Sequence, residues 1–231
     1  MASSAVSIIA LVFANLIPVV CVFVLDWDVS MIVLLYWTEN VVIGVYNVLR
    51  IAVAKVEHPI EHLGKLFLVP FFCVHFGGFC AVHGMFLVFM FKIGGAEAGG
   101  AVMGDPPAAL GPLVFLYLLA GVFRHLWNNV PGGLAWPFTA LMASHGISFV
   151  HNYLLRGEFK TASSKELMGR PYVRIVVLHV VIIAGAAAVM ALGSPMPLLF
   201  LLIAVKIALD IVLHIKSHAK KKEGSGGQES A

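Results

Sequence analysis

The stretch KLFLVPFFCVHFGGFCAVHGMFLVFMFK, residues 65–92, decides the fold class of this chain. It is one apolar run between two lysines, longer than the about 20 apolar residues that a membrane-spanning helix needs. Two histidines, His75 and His83, interrupt the run. Because polar side chains are costly in hydrocarbon, their presence here indicates either a function or a polar partner on another helix.

The composition of the whole chain indicates the same class of protein. Of 231 residues, 60% are hydrophobic and 12% are charged, and the mean hydropathy is +0.95. Soluble domains are about 25% charged, so we interpret the chain as an all-α integral membrane protein whose partners are membrane lipids. No basic patch indicates a nucleic acid, and no protein partner can be named. The three cysteines all lie in apolar runs, which predicts packed thiols.

Apolar runs extend over most of the chain, and we predict a single transmembrane helical domain over residues 1–215. Residues 93–112 are rich in glycine and proline, which predicts an exposed loop. Residues 216–231 are basic and then low in complexity, which predicts a disordered cytoplasmic tail. The apolar runs, in chain order, are about 5–25, 30–53, 65–92, 113–123, 134–155, 175–192 and 196–215.

The distribution of lysine and arginine predicts the topology. These residues concentrate in the links 50–65 and 156–174 and in the tail, and such segments face the cytoplasm. All three lie on one side only if an even number of crossings separates them, and a crossing by the short run 113–123 would break that parity. We therefore predict six crossings, with 113–123 as a re-entrant or interfacial helix and both termini cytoplasmic. Seven crossings are the alternative.

Polar side chains from four apolar runs fall at similar depths. Counted from the basic end of each run, Glu39, His75 and His145 lie about 15–16 Å deep and His179 about 10 Å deep. A carboxylate in a membrane must be protonated, paired or metal-bound. A carboxylate and neutral imidazoles suit zinc, iron or manganese, so we predict one metal site with Glu39, His75, His145 and His179 as ligands.

Further polar residues are candidates for a supporting shell or a second site. His83 lies about 12 Å beyond His75 on the same helix, too far to share one ion comfortably. In the run 134–155 the polar side chains fall within about 120° of a helical wheel, which predicts a stripe that faces the bundle interior. The complete set of supporting candidates is Asn40, Asn47, His83, Ser144, Ser148, His151 and Asn152.

These features favour a metal-dependent enzyme that acts on a lipid, with Glu39 as a metal ligand or general base, although enzymatic activity itself stays open. A first alternative is a haem b protein whose iron is held by His75 with His179 or His145. A second is a proton or small-solute transporter that uses a glutamate–histidine relay. A third is a structural membrane protein without a cofactor, because a single histidine in a membrane helix is most often an interhelical hydrogen-bond partner.

Four segments carry a resemblance to a known family: YWTENVVIGVYNVLRI, FFCVHFGGFCAVHG, SHGISFVHNYLLRGE and GRPYVRIVVLHVVII. Over roughly residues 30–215 the chain resembles a family of bacterial membrane proteins known as domain of unknown function 6498. The resemblance implies a multi-pass protein of the bacterial cytoplasmic (inner) membrane, and it implies no activity. The matching positions are Trp37, Glu39, Asn40, Asn47, His75, His83, Ser144, His145 and His179, and His151 is the position that matches the family pattern least well.

Overall fold

The structure, a computed structural model, describes residues 27–55, 59–95, 97–130 and 134–208, together with 20, 22–24 and 211. All regular secondary structure in these residues is helical. Most of the predicted first run and the tail 216–231 therefore lie outside the described residues. The helices are α1 (Val29–Val53), α2 (Pro59–Met90), α3 (Ala98–Met103), α4 (Val114–Asn129), α5 (Ala135–Ser148), α6 (Ser164–Leu192) and α7 (Met196–Ala208).

Four of the helical segments are long and apolar enough to cross a membrane, which confirms the all-helical class. They are Val29–Val53, His62–Met90, Ala108–Asn129 and Glu166–Leu192. The number of crossings stays a prediction. The described residues within 33–180 form one compact unit, which contains all the predicted site residues, and the described residues before 33 and after 180 form another. In that other unit, Gly185 packs against Leu198, and the rings of Phe23 and Phe200 lie 6.2 Å apart.

Several predicted boundaries are wrong, because helices continue through residues that the sequence assigned to links. The predicted loop 93–112 contains α3 and the start of a 3-10 helix, Ala108–Leu113. The run 113–123 continues through Arg124 and His125 to the end of α4. In the basic link 156–174, the last eleven residues are already the beginning of α6, with Pro171 inside the helix.

Helices α1 and α2 pack in opposite directions. The indole nitrogen of Trp37 donates a hydrogen bond to the carbonyl of Cys80 over 2.8 Å, and Gly44, further along α1, lies against Phe76. At the other end Lys65, which is buried, donates to the carbonyls of Ala52 and Ala54. A lysine in this position satisfies carbonyls that have no partner at a helix C-terminus.

Residues 97–129 form a helical hairpin that begins and ends at the C-terminal end of α2. The chain first descends beside α2 and α4, since Gly99 faces Phe89 and Gly104 faces the hydroxyl of Tyr117. It turns at Gly111, whose φ of 50° and ψ of −131° break the helix. Helix α4 then ascends beside α2 until His125 bonds the carbonyl of Ile93 over 2.8 Å.

Glycines allow this hairpin to lie close to α2. Gly77 faces Leu116 and Gly84 faces Val122, so α2 and α4 run in the same direction. The turn of the hairpin consequently lies beside the middle of α2. Within the hairpin, Gly121 lies directly against the carbonyl oxygen of Val102, which leaves no room for a side chain.

Helix α5 and the π-helix that follows it, Phe149–Leu155, pack along α1 in the same direction. The Tyr46 hydroxyl donates to the carbonyl of Met142, and the Tyr153 hydroxyl donates to the carbonyl of Arg50, each over 2.7 Å. Beyond these bonds, the backbone N–H of Lys55 donates to the carbonyl of Phe159. These contacts hold the ends of α1 and of the π-helix at one level.

We expect the substitution Gly121→Ala to lower the free energy of unfolding by about 1–3 kcal/mol, because the new methyl group would push α4 away from the Val102 carbonyl. Gly100→Ala on α3 is the matched control, since no heavy atom lies within 4 Å of a Cβ added there. Unfolding in detergent, followed by circular dichroism, measures both. Equal stability of the two variants would contradict the close packing of the hairpin.

Candidate functional site

Two hydrogen bonds join α2 and α6 at two heights. His75 Nδ1 lies 2.7 Å from the hydroxyl oxygen of Tyr172, and His83 Nε2 lies 2.7 Å from His179 Nδ1. Moving from the first bond to the second advances eight residues on α2 and seven on α6, so the two helices run in the same direction. We call these four side chains the histidine ladder.

In the hydrogen bond between His83 and His179, the burial of His83 determines which nitrogen of each ring carries the proton. His83 is buried, with 3% of its surface exposed, and its Nδ1 has no hydrogen-bond partner. A buried N–H without a partner is costly, so Nδ1 is best left unprotonated and Nε2 donates to His179 Nδ1. The Nε2 of His179 then carries a proton. His179 is exposed, so this N–H group is available to a ligand.

The hydrogen bond between His75 and Tyr172 likewise determines which nitrogen of His75 carries the proton. A phenol hydroxyl that accepts a hydrogen bond from His75 would leave its own proton without an acceptor, so Tyr172 is best assigned as the donor to Nδ1. The Nε2 of His75 then carries the proton of the neutral ring. Because His75 is exposed, it presents a second N–H donor on the same side of α2.

Both N–H donors line a groove of about 660 Å³ that runs along α2. Its lining extends from Leu66 to His83, a rise of about 26 Å at 1.5 Å per residue. Pro112 and Phe115 from the turn of the hairpin form another part of its wall. Apart from the ladder histidines, every lining residue among those described is apolar. The volume lies in the range of small-molecule sites, about 300–1,000 Å³.

The predicted carboxylate, Glu39, is part of an ion pair. Its Oε1 lies 3.6 Å from Nη1 of Arg174, and both side chains are less than a third exposed. Arg174 belongs to α6 and not to a solvated link, so the sequence did not suggest it as a partner. The positive charge of Arg174 compensates the negative charge of Glu39, which is one reason why a carboxylate can lie in an apolar helix.

The two supporting candidates on α1, Asn40 and Asn47, differ in their hydrogen bonds. Asn40 Nδ2 donates to the carbonyl of Tyr36 one turn earlier, whereas Asn47 is buried and its Nδ2 has no hydrogen-bond partner. His145 on α5 lies beside the Tyr46 ring, with ring centroids 6.3 Å apart.

The predicted polar stripe on the run 134–155 does not face the packed interior of the described residues. Ser144 and His151 are exposed. Asn152 Nδ2 donates to Ser148 Oγ over 3.2 Å, and the Asn152 amide oxygen lies 3.1 Å from His151 Nδ1. The helical wheel assumed 100° per residue, but residues 149–155 form π-turns, which change the direction of each side chain.

The structure does not bring the four predicted metal ligands together. Within the described ranges, no three His, Cys, Asp or Glu side chains lie close enough to hold one metal ion. The 2.7 Å between the nitrogens of His83 and His179 is a hydrogen-bond distance, whereas two nitrogens each about 2.0–2.1 Å from one tetrahedral zinc lie further apart. A zinc, iron, manganese or haem b site stays a prediction.

The depth count placed His179 too low. It started at Tyr172 as the membrane boundary of the last basic link, but α6 begins at Ser164 and Tyr172 already lies level with His75. His179 is therefore level with His83, a predicted supporting residue, and not with the other predicted metal ligands. The aromatic side chains of the groove and Tyr172 were missed, although Phe71 and Phe79, four residues either side of His75, were a usable signal.

A double-mutant cycle tests the ion pair. Because Glu39 and Arg174 interact directly, we expect the double variant Glu39→Gln/Arg174→Gln to be more stable than the sum of the two single effects predicts. The coupling energy should be about 1 kcal/mol or more in detergent unfolding. Additive effects would contradict the pair.

Metal analysis of the same proteins separates the two roles of Glu39. If Glu39 binds zinc, iron or manganese, Glu39→Gln reduces the bound metal and Arg174→Gln does not. If the carboxylate serves the ion pair, the metal content is the same in both variants.

Comparison with known proteins places this site in a family context. The model of a family of unknown function, DUF6498, matches residues 1–226, so it covers the groove, the ladder and the ion pair. No curated protein and no solved structure matches the chain. Since the family match covers nearly the whole sequence, the chain belongs to family DUF6498.

Proposed function

We propose that this protein binds a lipophilic molecule, taken from the surrounding bilayer, in the groove along α2. The observation that carries the proposal is the pair of exposed imidazoles, His75 and His179, in a groove that is otherwise apolar. An apolar wall with a few placed polar groups is the usual composition of a small-molecule site. The ladder assignments make these groups N–H donors, so the ligand carries a hydrogen-bond acceptor.

The depth of the donors supports a ligand from the membrane. Lys65 and Lys92 flank the apolar part of α2, and His75 and His83, which bonds the second donor His179, lie near the middle between them. The unused N–H groups of His75 and His179 are unfavourable towards hydrocarbon at this depth unless a ligand satisfies them. A ligand with an apolar body and an acceptor group satisfies the donors and fills the groove.

We also propose a topology for this protein in the bacterial cytoplasmic membrane. Helices α1, α2, α5 with its π-helix, and α6 cross, while the hairpin 97–129 re-enters from the side of the α2 C-terminus. The directions of packing support this, because α4 and α6 each run parallel to α2 while α1 and α5 run opposite to it. The basic links 50–65 and 156–174 then share the cytoplasmic face.

Photo-affinity labelling tests the binding function. A long-chain methyl ketone that carries a diazirine should label residues 66–83 and the Phe115 region of protein in nanodiscs, as mapped by peptide mass spectrometry. Val82→Trp places a large ring in the groove and should reduce that labelling at least fivefold, a difference of about 1 kcal/mol. Val82 lines the groove and is 47% exposed, so the larger side chain meets little of the core.

The matched control is Ile147→Trp on α5, which adds the same side chain at an exposed position outside the groove. Uniform labelling of all apolar helix faces, unaffected by Val82→Trp, would contradict the proposal. Metal analysis of the same preparation addresses the second candidate, a metal-dependent enzyme, which requires a stoichiometric metal that is lost on His75→Ala or His145→Ala.

Cysteine accessibility tests the topology. In a background without the native cysteines, Glu97→Cys and Asn128→Cys should react with a membrane-impermeant maleimide from one side, and Lys55→Cys and Glu158→Cys from the other. All four positions are exposed or half-buried. Reaction of residues 97 and 128 from opposite sides would show that the hairpin crosses, as the seven-crossing alternative requires.

A further inference from the structure

We propose that the ligand of the groove is a 1,4-quinone, a flat neutral ring with two opposed carbonyl oxygens that accept hydrogen bonds from His75 and His179. This inference rests on the proposed function, because it names the chemical class of the ligand for the same groove. It concerns binding alone.

The spacing of the donors favours a ligand with two acceptors at a defined distance. Eight residues from His75 to His83 correspond to about 12 Å of helical rise, and seven from Tyr172 to His179 to about 10 Å. Two N–H···O hydrogen bonds of about 2.9 Å account for nearly 6 Å of this interval. Measured along the helix axis, about 4–6 Å then remain between the acceptor oxygens of a ligand that lies parallel to α2.

A 1,4-quinone has this span, because two C=O bonds of about 1.23 Å on opposite corners of a six-membered ring set its oxygens about 5 Å apart. A single ester or carboxyl group is too short to reach both donors. The span thus distinguishes a quinone ring from the acyl ester of a phospholipid.

An aromatic side chain lines the groove beside the position proposed for the flat ring. Phe79 is four residues from His75 and four from His83, and its ring centroid lies 5.1 Å from that of His75 and 6.4 Å from that of His83. His83 in turn bonds the second donor, His179. It lines the groove and is 38% exposed. Aromatic rings pack on one another in offset or edge-on arrangements at such distances. Phe115 of the hairpin lines the same part of the groove.

The charge balance of the site favours a neutral ligand. The groove lining contains no carboxylate, lysine or arginine among the described residues, and the nearby charges of Glu39 and Arg174 are paired with each other. A phosphate or ammonium headgroup drawn to the middle of α2 would lose its hydration without gaining a counter-charge. A quinone ring carries no charge, and its apolar tail can follow the groove towards Leu66.

Equilibrium binding in phosphatidylcholine nanodiscs tests the inference. The probe is a decyl-substituted dimethoxy-methyl-1,4-benzoquinone, and decylbenzene, which lacks the carbonyls, is the matched compound. We expect the quinone to bind at least tenfold more tightly than decylbenzene after correction for partition into empty nanodiscs. His75→Leu and His179→Leu should each weaken quinone binding about fivefold to tenfold, because each removes one hydrogen bond.

Two controls keep the test independent of folding. His151→Leu removes an exposed histidine outside the groove and should leave the affinity unchanged. In the unmodified protein labelled with ¹⁵N-histidine, the quinone should shift the Nε2–H signals of His75 and His179 and leave those of His151 in place.

The outcomes separate the two proposals. If the quinone binds no more tightly than decylbenzene, or if neither histidine variant changes its affinity, the ligand class is wrong. Labelling of the groove by the methyl ketone would in that case leave the proposed function intact. If the ketone labelling also fails to depend on Val82, both proposals are wrong.

Discussion

Hydrocarbon offers no hydrogen-bond partners, and this constraint explains most of the specific contacts in the unit formed by residues 33–180. Several polar side chains on the apolar helices bond to carbonyls of another helix: Lys65 to the end of α1, Trp37 to α2, and Tyr46 to α5. Each such bond joins two helices at a fixed height. The bonds therefore set the register of the helices, which non-directional apolar packing alone would leave loosely defined.

Small residues on α2 make the second contribution. Gly77, Gly78 and Gly84 lie where α4 and Trp37 approach, and a side chain at any of these positions would meet a neighbour at once. Close approach of the hairpin brings Pro112 and Phe115 beside α2, which turns an exposed helix face into a groove. The histidines become a site only because the glycines let this wall form.

The sequence predicted the helices better than their pairing, for a physical reason. Hydropathy defines where an apolar helix lies, and α1 begins within one residue of the predicted start at residue 30. Pairing depends on the register between helices, which is set where chains turn, and there the basic residues of 164–174 were misassigned to a link. That error displaced His179 by about three turns and grouped it with His75 in place of His83.

The sequence pattern also identified polar residues that need a partner, but it did not predict which side chains the partners would be. Glu39, His75 and His179 were singled out because isolated polar groups are unfavourable in apolar helices, and each of them does have a partner. A metal ion is one way to satisfy several such groups at once, but pairwise bonds do the same with no cofactor.

The ring nitrogens of His75 and His179 that the ladder does not use are informative. A neutral imidazole has two nitrogens, and the ladder uses one nitrogen of His75 and one of His179. The second nitrogen of each ring belongs to an exposed side chain of the groove lining. A histidine that served only to join two helices could be replaced by a residue with a single polar group. The surplus donors are therefore the feature that separates a binding groove from ordinary helix contacts.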